Sequence, residues 1–191
     1  MTLSELILEP LKSEQLPLAV ELDELCLGGL WSLEGYQREL ASPNSQFLVL
    51  RNFPTYTNSK PNLIALGCFW AILEEAHITL LAVHPDYQNQ GIGQILLINL
   101  LKKAWLWGLE RATLEVRETN QVALSLYQKF GFQLAGKRQG YYQKTNEDAL
   151  ILWLNHLQTV EFAQNLAIWL QKADQRLISS GWKITSDPHT S

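Results

Sequence analysis

Short apolar runs of strand length alternate along this chain with runs of helical period, and that order constrains the fold more than any single residue does. Strand-type segments are read at 6–10, 47–50, 64–73, 76–83, 113–117, 136–143 and 149–154. Helical patterns fall between and after them, at 16–26, 32–40, 91–108, 121–130 and 160–178, with Ser32 placed as an N-cap and Gly131 as a C-terminal stop. In the third helix Ile92, Ile95, Leu96, Asn99, Leu100 and Lys103 recur at helical spacing. Residues 54–62 have turn composition and read as a long hairpin loop, and 136–143 with 149–154 read as a second hairpin. Strands, crossover helices and hairpins in this order predict an α/β domain, a mixed sheet with helices on both faces. One domain is expected over 1–154, followed at 155–191 by a helical extension and a polar tail. The extension carries Phe162, Leu166, Trp169 and Leu170 at helical spacing, a stripe that suits packing on its own domain.

Composition excludes several classes of function. A net charge of −4 over 191 residues argues against a nucleic-acid footprint, which needs clustered Lys and Arg. It suits a basic peptide partner, and it equally suits ordinary solubility. Cys26 and Cys68 cannot build a disulfide framework, and neither they nor the four scattered histidines show metal-ligand spacing, so no metal is expected. Cys68 lies among apolar neighbours, where a thiol is inert. His84 precedes Pro85 and is assigned no role in catalysis. No signal peptide is read in the first residues, and the longest apolar stretches are too short to span a membrane, so the expected location is the cytoplasm and no membrane partner is expected.

Between the strand ending at Val83 and the helix that follows lies Gln88-Asn-Gln-Gly-Ile-Gly93. Glycines at 91 and 93 let backbone N–H groups approach an anion, and the helix N-terminus behind them is partially positive. Alone, the two glycines fit a tight strand-to-helix connection better than an anion site. The loop matches neither the P-loop nor the three-glycine dinucleotide pattern. Its surroundings are more specific. Residues 82–93, Ala-Val-His-Pro-Asp-Tyr-Gln-Asn-Gln-Gly-Ile-Gly, resemble the acetyl-CoA signature of the GNAT acetyltransferase superfamily. Asn120, Ala123, Leu126, Tyr127, Gly131 and Phe132 resemble its second signature. Tyr141 and Tyr142, followed by Glu147-Asp-Ala149, are similar to the bacterial ribosomal-protein-alanine N-acetyltransferases, as is Leu30-Trp-Ser32. The resemblance covers about residues 4 to 154; neither the extension nor the loop at 54–62 shares in it.

The resemblance implies a GNAT-like, mostly antiparallel sheet, acetyl-CoA as co-substrate and an N-acetyltransferase activity. It places the co-substrate against Leu81, Ala82 and Val83, whose backbone would polarise the carbonyl, and against Gln88, Asn89, Gln90, Gly91, Ile92 and Gly93. Asn120 would hold the pantetheine arm. Acyl transfer from a thioester needs a neutral amine, an oxyanion donor and a proton for the leaving thiolate. Strand alternation turns Glu115 away from Leu114 and Val116, and the resemblance gives it the general base, with Tyr127 as general acid. Asn120 and Tyr127 are seven residues apart, two helical turns, and can face one cleft. Tyr141, Tyr142 and Trp31 are the candidate substrate-binding residues, with hairpin or core packing as their other reading.

An α-amine titrates near about 8 and a Lys amine near about 10.4, so a single carboxylate base favours an N-terminal acceptor. The expected partner is a protein or peptide N-terminus, in particular the N-terminal alanine of a small-subunit ribosomal protein, and the chain is expected as a monomer or weak dimer. A small amine, a Lys side chain or an aminoacyl-tRNA is the alternative acceptor. A non-catalytic acetyl-CoA-binding or partner module is the alternative from another class; intact Glu115 and Tyr127 argue against it.

Overall fold

In the computed structural model, which describes residues 3–52, 63–143 and 145–186, eight strands form one sheet in the order β6-β7-β5-β4-β3-β2-β1-β8. The strands are β1 (Ser4–Pro10), β2 (Ser45–Asn52), β3 (Leu63–Ile72), β4 (Glu75–Val83), β5 (Arg111–Arg117), β6 (Gln133–Tyr142), β7 (Glu147–Leu154) and β8 (Trp182–Ser186). The helices are α1 (Leu16–Leu27), α2 (Leu33–Ala41), α3 (Ile92–Leu106), α4 (Gln121–Lys129) and α5 (Val160–Ser179). Only β4/β5 and β1/β8 pair in parallel, so the sheet is mixed and mostly antiparallel. The loop expected at 54–62 lies outside the described residues.

Two hydrophobic cores sandwich the sheet. Leu16, Ala19 and Leu22 of α1 and Tyr36 of α2 pack with Phe47, Val49, Leu66 and Cys68 on one face. The inner residues of α3, α4 and α5 pack with Leu48, Leu50, Ile64, Leu114 and Leu152 on the other. α3 is apolar almost all round because it lies between the sheet and α5, and a helix covered on two sides keeps no wide polar stripe. It approaches β3 closely enough that a Cβ on Gly67 would meet Leu100 Cδ1 at 2.8 Å, so a side chain there would force Leu100 to shift.

The sequence reading of a polar tail after 178 is corrected by β8. Trp182 to Ser186 pair with Ser4 to Leu8 of β1, and Ser4 N–H donates to Gly181 O. Trp182 and Ile184 alternate with Lys183 and Thr185 and pack on the α3 core, a pattern too short to stand out in the sequence; the edge of β1 organises the segment by backbone hydrogen bonding. α5 packs as its stripe suggests, with Phe162 and Leu166 buried and Trp169 edge-on to Phe130 at 5.2 Å. The third helix ends at Leu106, two residues before the end read from the sequence, with Gly108 at φ 75° just beyond.

β4 is where the sheet becomes irregular. Cys68 pairs with Leu80 and Phe69 with Ile78, so Thr79 is an extra residue without a partner on β3. That bulge inverts the alternation: Ala76 and Ile78 face α3, whereas Leu80 and Ala82 face α1. β4 and β5 pair only from Glu75↔Arg111 to Ile78↔Leu114. Beyond that point a cleft opens between them.

Candidate active site

The cleft has a volume of about 770 Å³, within the usual range for a small-molecule site. Leu81, Ala82 and Val83 form its wall on β4, Gln88, Asn89, Gly91 and Gly93 its floor at the loop, and Asn120 and Tyr127 its wall on α4. Nine residues singled out from sequence therefore meet at one opening.

The loop is held by its own side chains. His84 accepts from Asp86 N–H and caps a single 3₁₀ turn, Pro85–Tyr87, and Asp86 Oδ2 lies 3.8 Å from its Nδ1. Gln88 Nε2 donates to Val83 O at 3.0 Å. Gly91, at φ 91°, is the N-cap of α3, and this left-handed turn aims the first N–H groups of the helix at the cleft. Ile92 turns its side chain into the core, leaving only its backbone to the site. Gln90 points away from the cleft: its amide donates to Asp86 O and accepts from Trp182 Nε1.

Asn120 caps α4, its Oδ1 accepting from Ala123 N–H at 3.1 Å. Two turns on, Tyr127 is 7% exposed and packs edge-on to Phe132 at 5.6 Å. Burial, with Tyr142 nearby, pushes its phenol well above the ordinary value. It stays protonated at neutral pH, as a proton donor must.

Glu115 lies on the other face of the sheet, outside the cleft wall. Leu114 and Val116 are buried under α3, as alternation requires, and Glu115 meets His77 Nε2 at 2.7 Å and Arg138 Nη2 at 3.3 Å. The His77 hydrogen bond, aided by the charges of His77 and Arg138, holds its carboxyl below the usual range against the opposing effect of burial. An ionised carboxylate at that distance only accepts, so His77 Nε2 carries the proton shared with Glu115. His77 escaped the sequence reading because it and Glu115 are 38 residues apart and meet only through the β4/β5 register.

From His77 an aromatic line extends along this face. Its ring is edge-on to Trp70 at 6.2 Å, and Trp70 stacks on Trp31 at 5.9 Å. The Trp70 indole N–H is buried without a partner among the described residues. Asp23, fully buried, fixes the loop that carries Trp31 by accepting from Leu30 N, Trp31 N and Tyr36 Oη. Trp31 thus packs against the core and borders this face together. On the far side Arg138 lies over Tyr141 and Arg117 over Tyr142, at 5.6 and 3.9 Å. Glu147 binds Arg117, Thr119 and Thr145, while Asp148 accepts from Gly140 N–H and pairs with Lys137. The acidic pair therefore shapes the irregular β6/β7 hairpin that presents the two tyrosines.

Cys68 is fully buried and its thiol is pushed up to about 12 by burial, which removes it from the chemistry. No group of side chains suited to a metal ion occurs among the described residues, and none of the described helices is long and apolar enough to cross a membrane.

Known proteins resemble this chain in sequence and fold. The model of the acetyltransferase (GNAT) family matches residues 16–132. A [ribosomal protein bS18]-alanine N-acetyltransferase of Escherichia coli K12 is 34% identical over 146 residues, 75% of this chain and 93% of that protein. The N-alpha-acetyltransferase RimI of Mycobacterium tuberculosis is 37% identical over 119 residues, 62% of this chain and 72% of that one. The crystal structure of the Escherichia coli ribosomal-protein-S18-alanine N-acetyltransferase superposes with a TM-score of 0.68 at 28% identity, covering 79% of this chain and 94% of that chain. A bulged β4 parting from β5 above a glycine loop, found in a chain so matched, is accounted for in one way: the chain belongs to the GNAT acetyltransferase family, acetyl-CoA-dependent N-acetyltransferases.

Proposed function

We propose that this enzyme acetylates the N-terminal α-amine of a protein, specifically the N-terminal alanine of a small-subunit ribosomal protein of the bS18 kind, in the cytoplasm. The observation that carries the reading is the placement of Glu115 and Tyr127. The phenol lines the cleft on the α4 side, and the carboxylate stands on the opposite face of the sheet beside aromatic rings and tyrosines suited to a peptide. The E. coli and M. tuberculosis relatives support the same acceptor class by the activities their names carry.

The residues present fit the co-substrate: a glycine-capped helix start for its phosphates and an apolar channel along Leu81 and Val83. Bound there, acetyl-CoA supplies the activated acyl group. Backbone N–H groups within 81–83 that do not bond β3 would stabilise negative charge on its carbonyl oxygen. Glu115, with its partner His77, takes the proton of the incoming amine. Tyr127 Oη, lining the same cleft, would give a proton to the sulfur as the C–S bond breaks. At pH 7 on the order of a tenth of an α-amine is already neutral, so a carboxylate held low is adequate for this acceptor and poor for Lys.

The test is acetylation of two peptides followed by mass. One begins with free alanine; the other has a blocked N-terminus and an internal Lys. The first is expected to gain one acetyl group and the second none, and efficient labelling of the blocked peptide would replace the acceptor with a Lys side chain.

A further inference from the structure

Arg176 belongs to α5, beyond the end of the family match at 132 and beyond the stretch that resembles the family in sequence. It nevertheless reaches the glycine loop. Its Nη2 donates to Asn89 O at 2.9 Å, its stem lies 3.2 Å from where a Gly91 Cβ would stand, and it lines the cleft. The next residues of the same extension grip the loop a second time, Trp182 donating to Gln90 Oε1 at 2.6 Å and packing tilted against Tyr87 with ring centroids 5.8 Å apart.

The charge of the cleft is the second, independent observation. Its lining includes two cations, Arg176 and Lys129, and no carboxylate, in a chain whose net charge is −4. Arg51, Arg111, Arg117, Arg138 and Lys137 each sit in an ion pair with a carboxylate. Arg176 and Lys129 have none among the described residues; Lys129 is held by Gln94 Oε1 instead. A guanidinium fixed at one N–H by a loop carbonyl, with further N–H groups left over beside a glycine-capped helix start, matches a polyphosphate oxygen in both charge and geometry.

We propose that the C-terminal extension is part of the coenzyme site, and that Arg176 binds the pyrophosphate of coenzyme A at the loop it also holds. This inference rests on the acetyl-CoA reading above.

Coenzyme A binding is measured by titration calorimetry for the full-length wild type and for Arg176→Ala, Arg176→Lys and Arg176→Gln, each first checked for an unchanged thermal melt. Arg176→Ala is expected to weaken binding about tenfold, with a shallower dependence of Kd on salt because one screened attraction is gone. Lys keeps the charge and should recover most of the affinity. Gln keeps an N–H donor for Asn89 O without the charge and should not. Recovery by Gln but not by Lys would mean that Arg176 only props the loop, and unchanged affinity in Arg176→Ala would remove it from the site; either overturns the proposal. Repeating the series with 3′-dephospho-coenzyme A should preserve the tenfold loss, whereas its disappearance would move the contact to the ribose phosphate and refute the pyrophosphate assignment. Absence of binding to the wild type would instead bring down the acetyl-CoA reading itself.

Discussion

At the scale of single residues, Tyr127 and Glu115 owe their proposed roles to opposite environments. Burial keeps the Tyr127 phenol protonated, and hydrogen bonding keeps Glu115 ionised. Tyr127→Phe retains the ring against Phe132 and removes only the proton donor. It should lower kcat by about two orders of magnitude with little change in coenzyme A affinity or thermal midpoint. Glu115→Gln should lower kcat comparably at pH 7, and its deficit should shrink as rising pH supplies the amine already neutral. Its effect on stability has a definite sign. The folded carboxyl lies below its unfolded value, so its bond to His77 stabilises the fold above the unfolded value and ceases to as pH falls through the folded one. The wild type should therefore melt above Glu115→Gln at pH 7, with the gap closing in acid. A gap that widened in acid would contradict the His77 pairing, and wild-type turnover in Glu115→Gln at pH 7 would end its role as base.

At the scale of elements, the turn from β4 into α3 makes different demands on its two glycines. Gly91 holds φ 91°, where a side chain is strained, and a Cβ there would press Arg176 Cγ at 3.2 Å. Gly93 lies inside the helix with ordinary φ, and its Cβ would rest 3.5 Å from Val83 Cγ2, a normal contact. Gly91→Ala is expected to destabilise by about 1–2 kcal/mol and to weaken coenzyme A binding. Gly93→Ala should be neutral or stabilising by up to about 1 kcal/mol, because alanine is the better helix former. Chemical denaturation of both variants checks this, and equal destabilisation would refute the left-handed cap.

Across the whole molecule, α5 and β8 extend the same core and the same sheet. Leu177 is 1% exposed and packs within the cluster formed by α3 and the sheet. Leu177→Ala should therefore destabilise the entire protein by about 2–5 kcal/mol in a single transition. A melt in which the main transition stays put and only a minor early one appears would show that 155–191 is a separate appendage. Because Leu177 Cδ2 also lies 3.6 Å from the Gly91 Cβ position, packing of the extension and the shape of the loop are mechanically joined.

Period and punctuation alone determined the existence and order of nearly every element, since helical and strand alternation is written locally and Ser32, Gly131 and Pro85 mark its ends. They also determined the loop at 88–93 and the outward turn of Glu115. What they left undetermined depended on residues distant in sequence. The Thr79 bulge and the parting of β4 from β5 follow from how three strands pair, and no local pattern encodes a pairing that stops. His77 becomes the partner of Glu115 only through parallel register, Asp23 the anchor of Trp31 only after α1 folds back, and Arg176 a wall of the cleft only when α5 lies on α3. β8 carries only Trp182 and Ile184 as apolar alternation, too short a pattern to announce a strand, and pairing with the open edge of β1 sets its place. Local chemistry fixes which elements form; long-range hydrogen bonding and packing decide which side chains meet.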